Sequence, residues 1–128
     1  MIADDDLIVT TLLGASLGRE FELVGVAGDG EGAIELAGAT QPDVALIDVQ
    51  MPKGGAPRAV PGILRVAPQV AIVVLSGDES GPVVHELIAA GAVAFCRKGI
   101  DPDELAGVLR SAVEARAGES TRTPATGA

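Results

Sequence analysis

Three apolar runs of strand length alternate along the chain with segments of helical periodicity. These runs cover residues 21–27, 44–48 and 70–76, and a weaker fourth run covers residues 93–97. Because the runs are almost continuously apolar, they are typical of strands that are buried on both faces, as in a parallel sheet. Residues 1–3 add a very short strand ahead of the first helical segment.

The segments between the runs predict helices with recognisable ends. Apolar residues recur at three- and four-residue steps over residues 7–17, and Asp6 can cap this helix. Similar patterns predict a helix after the turn at residues 28–30, a helix at residues 82–90 and a last helix that begins at Pro102.

The segment over residues 54–68 carries the weakest helical signal. Pro61 interrupts it, so we expect a helix that is kinked or that starts late, near this proline. Strands that alternate with helices indicate an α/β fold with a parallel sheet and right-handed crossovers.

Composition narrows the class of protein. The chain has 128 residues, 48% of them hydrophobic, which suits one domain with one core. A net charge of −9 and an aromatic content of 2% argue against direct binding to nucleic acid or to an anionic membrane surface. The single cysteine, Cys96, allows no internal disulfide, so we expect a reduced cytoplasmic protein.

Polar side chains stand where the predicted strands end. Asp4 and Asp5 follow the first short strand, Asp48 ends the second long run, Ser76 ends the third and Lys98 follows the fourth. Because functional residues gather at the carboxyl ends of parallel strands, we expect these five side chains to meet in one pocket. Clustered carboxylates repel one another, and a hard cation such as Mg²⁺ removes that repulsion. A carboxylate, an ammonium and a hydroxyl can then receive and bind a phosphoryl group.

Four stretches of the chain resemble a known family. They are IADD at residues 2–5, ALIDVQMP at 45–52, VVLSG at 73–77 and GAVAFCRKG at 91–99. In order and spacing they resemble the receiver (REC) domain of bacterial two-component response regulators. The resemblance implies a flavodoxin-like (CheY-like) three-layer α/β sandwich, with a five-stranded parallel sheet of order 2-1-3-4-5 and helices on both faces.

The resemblance also implies the extent of the domain and its partners. The receiver domain would cover residues 1–117, and residues 118–128 would form a flexible tail or the start of a linker. A histidine kinase or a phosphotransfer protein would supply the phosphoryl group.

The resemblance assigns the acidic residues as follows. Asp48 would be the phosphoacceptor in a Mg²⁺-dependent reaction. Asp5 would bind Mg²⁺ directly, Asp4 mostly through water, and Asp48 and the backbone carbonyl of Gln50 would complete the metal site.

Further roles follow from the same resemblance. Lys98 would pair with the phosphoacceptor and later with the phosphoryl group, and the backbone amide of Gly77 would bind phosphoryl oxygens. Ser76 would be the switch hydroxyl and Phe95 the aromatic switch. Phosphorylation would change the surface of the helix at residues 82–90, the strand after it and the last helix, which would bind an effector or form a homodimer.

Other functions remain open on the sequence alone. A degenerate receiver could act only as a protein-interaction scaffold. A Mg²⁺-dependent aspartate phosphohydrolase typically has a second acid two residues after its nucleophile, where this chain has Gln50. A flavodoxin-type flavin carrier would need a phosphate loop and aromatic partners. We therefore expect a phosphoacceptor switch rather than an enzyme, either stand-alone or the amino-terminal part of a longer protein.

The first strand departs from the family pattern, since only Met1, Ile2 and Ala3 precede the acids. We expect either low stability or a start further upstream, and three to five added upstream residues should raise the melting temperature.

Overall fold

A computed structural model describes the backbone of residues 1–77 and 81–127 and the side chains of residues 1–77 and 81–118. Strands and helices alternate throughout this part of the chain. The elements are β1 (Ile2–Ala3), α1 (Leu7–Leu17), β2 (Val26–Ala27), α2 (Gly30–Thr40), β3 (Val44–Asp48), α3 (Gly55–Val66), β4 (Ala71–Ser76), α4 (Gly81–Ala90), β5 (Ala94–Arg97) and α5 (Pro102–Gly127).

All five strands form one parallel sheet in the order β2-β1-β3-β4-β5. One core lies between the sheet and α2, α3 and α4, and a second core lies between the sheet and α1 and α5. Successive residues of a strand point to opposite faces, so the apolar strands β3 and β4 supply both cores. The predicted three-layer flavodoxin-like fold and its strand order are confirmed.

The helix ends follow local chemistry. The Asp6 carboxylate accepts hydrogen bonds from the amides of Ile8 and Val9, so the predicted cap of α1 is confirmed. Asp29 caps α2 in the same way through the amide of Gly32. Within the described residues, no helix combines the length and the hydrophobicity that a membrane-spanning segment requires.

The prediction of a long strand over residues 21–27 is wrong. Only Val26–Ala27 pairs, and Leu23 and Val24 remain 44% and 40% exposed. The reason is the position of β2 at the edge of the sheet, where its neighbour β1 has only two residues. A strand cannot extend beyond the partner that supplies its hydrogen bonds.

Of the two alternatives for the third helix, the late start near Pro61 is wrong, and a kink at Pro61 stays a prediction. α3 begins at Gly55 and contains Pro61 as its seventh residue. Proline removes one helical hydrogen bond, but Ala59, Val60 and Ile63 are completely buried on the same helix. Tertiary packing of the apolar face thus outweighs the local cost.

The last helix runs beyond the predicted domain boundary. The backbone of α5 is helical as far as Gly127, across most of the segment that we assigned to a flexible tail (residues 118–128). The side chains of residues 119–128 lie outside the described part of the chain. The boundary at residue 117 therefore stays a prediction.

Candidate functional site

The predicted polar side chains meet at the carboxyl edge of the sheet. Asp4 follows β1, Asp48 ends β3, Ser76 ends β4 and Lys98 follows β5. Asp4, Asp48 and Ser76 are almost completely buried, whereas Asp5 is exposed. The parallel register of β1, β3, β4 and β5 is what brings these positions to one place.

Lys98 joins the two buried carboxylates. Its Nζ atom lies 3.0 Å from Oδ2 of Asp48 and 3.8 Å from Oδ2 of Asp4. Its backbone amide donates to the carbonyl of Ser76 at 2.9 Å, which holds the chain after β5 against the end of β4. The lysine therefore compensates two carboxylates while part of its side chain stays in contact with solvent.

The acidic cluster fits a divalent cation. Carboxylate oxygens of Asp4, Asp5 and Asp48 all lie within 4.8 Å of one another. Asp4 Oδ1 accepts a hydrogen bond from the amide of Asp6 at 2.9 Å. Among the described residues, Asp4 Oδ2 is the one fully buried side-chain oxygen that accepts no hydrogen bond. Hard carboxylate oxygens, one of them without a hydrogen-bond donor, are the kind of ligand that Mg²⁺ prefers.

Burial raises the pKa of the Asp48 carboxyl above its usual value of 3.8, because the site removes solvent from the charged form. The hydrogen bond from Lys98 opposes this effect, and the neighbouring Asp4 charge adds to it. The carboxylate is thus held in place but poorly solvated, a condition that favours reaction with an electrophile.

The loop between β3 and α3 is fixed against the start of α2. The amide of Gln50 approaches Oδ1 of Asp48 at 3.4 Å, and the amide of Gly30 donates to the carbonyl of Pro52 at 3.1 Å. A Cβ atom at Gly30 would lie 2.6 Å from the carbonyl oxygen of Lys53, so only glycine allows this approach. The role of Gly30 in positioning this loop was not predicted from the sequence, although its place in the turn before α2 was a signal.

The family resemblance implies a pair between Lys98 and Asp48, but it does not imply the contact between Lys98 and Asp4. The signal that could have revealed it is the strand order, which places β1, followed by Asp4, directly beside β3, which ends at Asp48. Side chains from the ends of these neighbouring strands can therefore share one partner.

Other predicted site residues stay predictions in their roles. Gly77 follows β4 directly, next to residues 78–80, which lie outside the described part of the chain. Phe95 lies opposite Val74 in the register of β4 and β5, and its side chain is 52% exposed. Cys96 is buried, and this burial raises the pKa of its thiol.

Comparison with known proteins gives one consistent result. Residues 1–110 match the family model of the response regulator receiver domain. The transcriptional regulatory protein YxjL of Bacillus subtilis is 41% identical over 93 residues, which is 73% of this chain and 43% of that protein. The response regulator GacA of Pseudomonas aeruginosa is 34% identical over 112 residues, which is 86% of this chain and 52% of that protein. The chain thus spans about half the length of the curated relatives it matches.

Solved structures have the same fold. A CheY-like receiver domain protein from Methanospirillum hungatei superimposes with a TM-score of 0.85 at 19% identity, covering 92% of this chain and 94% of that one. The response regulator domain of Thermotoga maritima CheB gives a TM-score of 0.81 at 27% identity, covering 88% and 93% of the two chains.

Proposed function

Because the chain belongs to the response regulator receiver domain family, we propose that it accepts a phosphoryl group on Asp48 from a histidine kinase or a phosphotransfer protein. The observation that supports this role best is the placement of Lys98 Nζ 3.0 Å from a carboxylate that is 1% exposed, at the carboxyl edge of the sheet. A fixed and desolvated carboxylate beside a cation suits nucleophilic attack on phosphorus.

The transfer step uses the carboxylate of Asp48 as the nucleophile. One of its oxygens forms a bond to the phosphorus of a donor phosphohistidine while the phosphorus–nitrogen bond breaks. The imidazole nitrogen leaves with the electron pair and takes up a proton from solvent. The ammonium of Lys98, the hydroxyl of Ser76 and the backbone amide of Gly77 then bind the phosphoryl oxygens.

The acidic cluster has a separate role in this proposal. Asp5 would bind Mg²⁺ directly, Asp4 mainly through water, and Asp48 and the carbonyl of Gln50 would complete the set. The exposure of Asp5 supports its direct binding to Mg²⁺, and the contact of Asp4 with Lys98 supports binding of Asp4 through water. The bound cation would neutralise charge on the carboxylates and on the entering phosphoryl oxygens.

Phosphorylation would change the side chains near Asp48 and, through them, one surface of the domain. Ser76 would move toward it, Phe95 would change rotamer, and the surface formed by α4, β5 and α5 would shift between two arrangements. This surface would then form a homodimer or bind an effector, in the cytoplasm and without direct contact with nucleic acid. Size-exclusion chromatography with beryllofluoride and Mg²⁺ measures this: a dimeric output predicts earlier elution, and unchanged elution rules it out.

Intact-mass spectrometry after treatment with acetyl phosphate and Mg²⁺ tests the phosphoacceptor. We expect a single phosphoryl adduct on the wild-type chain and none on Asp48→Ala. The matched control is Asp6→Asn, which changes an acid beside the cluster but keeps a residue that caps α1. It should be phosphorylated like the wild type.

Two outcomes would overturn the proposal. An adduct that persists in Asp48→Ala would place the phosphoryl group elsewhere, and no adduct on folded wild type would favour a scaffold without phosphoryl chemistry. Continuous phosphate release from a phosphomonoester, rather than one adduct per chain, would favour a phosphohydrolase.

A further inference from the structure

The turn between β2 and α2 contacts both segments that carry the candidate metal ligands. The carbonyl of Ala27 accepts a hydrogen bond from the amide of Asp4 at 2.9 Å, and the amide of Gly30 donates to the carbonyl of Pro52 at 3.1 Å. Asp4 belongs to the acidic cluster, and Pro52 lies in the loop between β3 and α3. Residues 27–30, which we call the bridging turn, therefore connect the two sides of the site.

The loop between β3 and α3 reverses direction through three successive residues in the left-handed region. Lys53, Gly54 and Gly55 have φ angles of 57°, 92° and 58°. Glycine adopts such angles freely, but a lysine is strained there and keeps this conformation only where its surroundings hold it. The contact of the Lys53 ammonium with Asp29 at 3.8 Å is largely exposed and adds little. The backbone contacts of the bridging turn are therefore the main support of this loop.

Hydrogen bonds hold Gln50 from both sides within this loop. The amide of Val49 donates to the carbonyl of Leu75 at 3.0 Å, and the carbonyl of Val49 accepts the amide of Ala56 at 3.3 Å, which closes the loop. The amide of Gln50 itself approaches Oδ1 of Asp48 at 3.4 Å. Among the residues that the structure describes, none donates a hydrogen bond to the carbonyl of Gln50. This carbonyl oxygen is therefore available to a hard cation.

The approach of Gly30 to the loop leaves no room for a side chain. A Cβ atom at Gly30 would lie 2.6 Å from the carbonyl oxygen of Lys53 and 3.1 Å from that of Gly55. Both oxygens belong to the backbone, so no change of rotamer could relieve the clash, and either α2 or the loop would have to move. Because Asp29 caps α2 and Ala33 is completely buried, we expect the loop to move.

We propose that the bridging turn sets the separation between Asp4 and the carbonyl of Gln50, and thereby determines the affinity of the site for Mg²⁺. This inference rests on the proposed function, in which these two groups share one cation. Gly30 is then a positioning residue, since it acts through the loop without contacting the cation. Groups that orient metal ligands in this way typically change metal affinity by about 10- to 100-fold when they are mutated.

Titration of the full chain with Mg²⁺ alone, followed by the NMR shifts of backbone amides, tests the inference. We expect Gly30→Ala to lower the affinity for Mg²⁺ by about tenfold or more. Gly28→Ala is the matched control in the same turn, because a Cβ atom there would meet nothing within 4 Å. Gly62→Ala controls for lost stability, because its Cβ atom would lie 2.4 Å from the Ile34 side chain, between α2 and α3 but away from the loop. Both controls should bind Mg²⁺ like the wild type.

Hydrogen exchange in metal-free buffer gives a second readout. Gly30→Ala should speed exchange at the Ala56 amide, which closes the loop, by about fivefold or more relative to the amide of Val73 in the buried strand β4. Gly62→Ala should leave this ratio unchanged, because it lowers the stability of the whole fold without moving the loop.

A second variant decides the matter if Gly30→Ala does not fold. Asp29→Ala removes the cap of α2 and the contact with Lys53, and it adds no atom to the close approach. We expect it to lower the affinity for Mg²⁺ by about threefold or more. Glu31→Ala removes the same charge two residues later, and it should leave the affinity unchanged.

The outcomes separate this inference from the proposed function. Wild-type affinity in Gly30→Ala would overturn the inference and leave the phosphoacceptor role intact, as would an equal loss of affinity in Gly62→Ala, which would assign the effect to stability. Wild-type affinity in Asp29→Ala, where only that variant folds, would have the same meaning. A folded wild-type chain that binds no Mg²⁺ would instead refute the proposed cation site, and the inference with it.

Discussion

Replacement of Lys98 by methionine tests the electrostatics of the phosphoacceptor site most directly. With an effective dielectric constant of about 20, the Asp48 contact at 3.0 Å corresponds to about 5.5 kcal/mol of attraction and the Asp4 contact at 3.8 Å to about 4.4 kcal/mol. The two carboxylates, within 4.8 Å of each other, repel by at least about 3.5 kcal/mol on the same basis. Lys98→Met removes both attractions and leaves the repulsion.

The measured loss should be smaller than these gross energies. Desolvation of the ammonium and ordering of its side chain offset part of the attraction, and the lysine is partly exposed. We expect Lys98→Met to lower the free energy of unfolding by about 2–4 kcal/mol at neutral pH in metal-free buffer of low ionic strength. Urea denaturation measures this loss. Arg97→Met is the matched control, because it removes a positive charge from the adjacent, exposed position.

A double-mutant cycle that combines Lys98→Met with Asp48→Asn measures the interaction energy between these two side chains. Burial raises the pKa of the Asp48 carboxyl, so the folded protein favours the protonated form. The stability that this group contributes is therefore fully present below pH 3.8 and is lost as the pH rises through the raised pKa. Asp48→Asn should therefore stabilise the fold at neutral pH, and by about 1–3 kcal/mol more in the Lys98→Met background than in the wild type. The reasoning is refuted if Lys98→Met costs no more than Arg97→Met and Asp48→Asn has the same effect in both backgrounds.

Two further predictions concern the cation site and the terminal amine. At one hundred times its dissociation constant, Mg²⁺ should add about 2.7 kcal/mol to the free energy of unfolding of the wild type and so raise its melting temperature. Asp5→Asn should reduce this rise in melting temperature and Asp6→Asn should not, as differential scanning fluorimetry can measure. Burial lowers the pKa of the Met1 amine below 8.0, with Asp43 opposing the change. Because the folded protein favours the neutral amine, the free energy of unfolding should rise as the pH increases from the lowered pKa to 8.0. Urea midpoints across that range should lose this slope after acetylation of the amine, and a slope that survives acetylation would assign the effect to another group.

Much of the fold could be predicted from the sequence because the apolar pattern is consistent over most of the chain. The runs at residues 44–48 and 70–76 became β3 and β4, since strands of this kind are stable only when both faces are covered. The long strand at residues 21–27 and the late helix start near Pro61 were wrong. In both places the deciding factor was a neighbour in space: the two-residue partner β1 for one, and the buried face of α3 for the other.

The sequence predicted that several polar side chains lie together at one edge of the sheet, but it did not predict all of their contacts. Asp4, Asp5, Asp48 and Lys98 were identified because they follow the apolar strands in an order and at a spacing that resemble the receiver family. That Lys98 contacts Asp4 as well as Asp48 follows from distances between strands, which no local pattern contains.

The sequence by itself thus determined which residues form strands β3, β4 and β5, and which chemical groups stand at their ends, because these are properties of short segments. Only the tertiary structure decided the length of β2, the start of α3 and the contact of Lys98 with two carboxylates. Each of these depends on residues that are far apart along the chain and close in space, where hydrogen-bond partners, charge compensation and buried volume are set by packing rather than by local pattern.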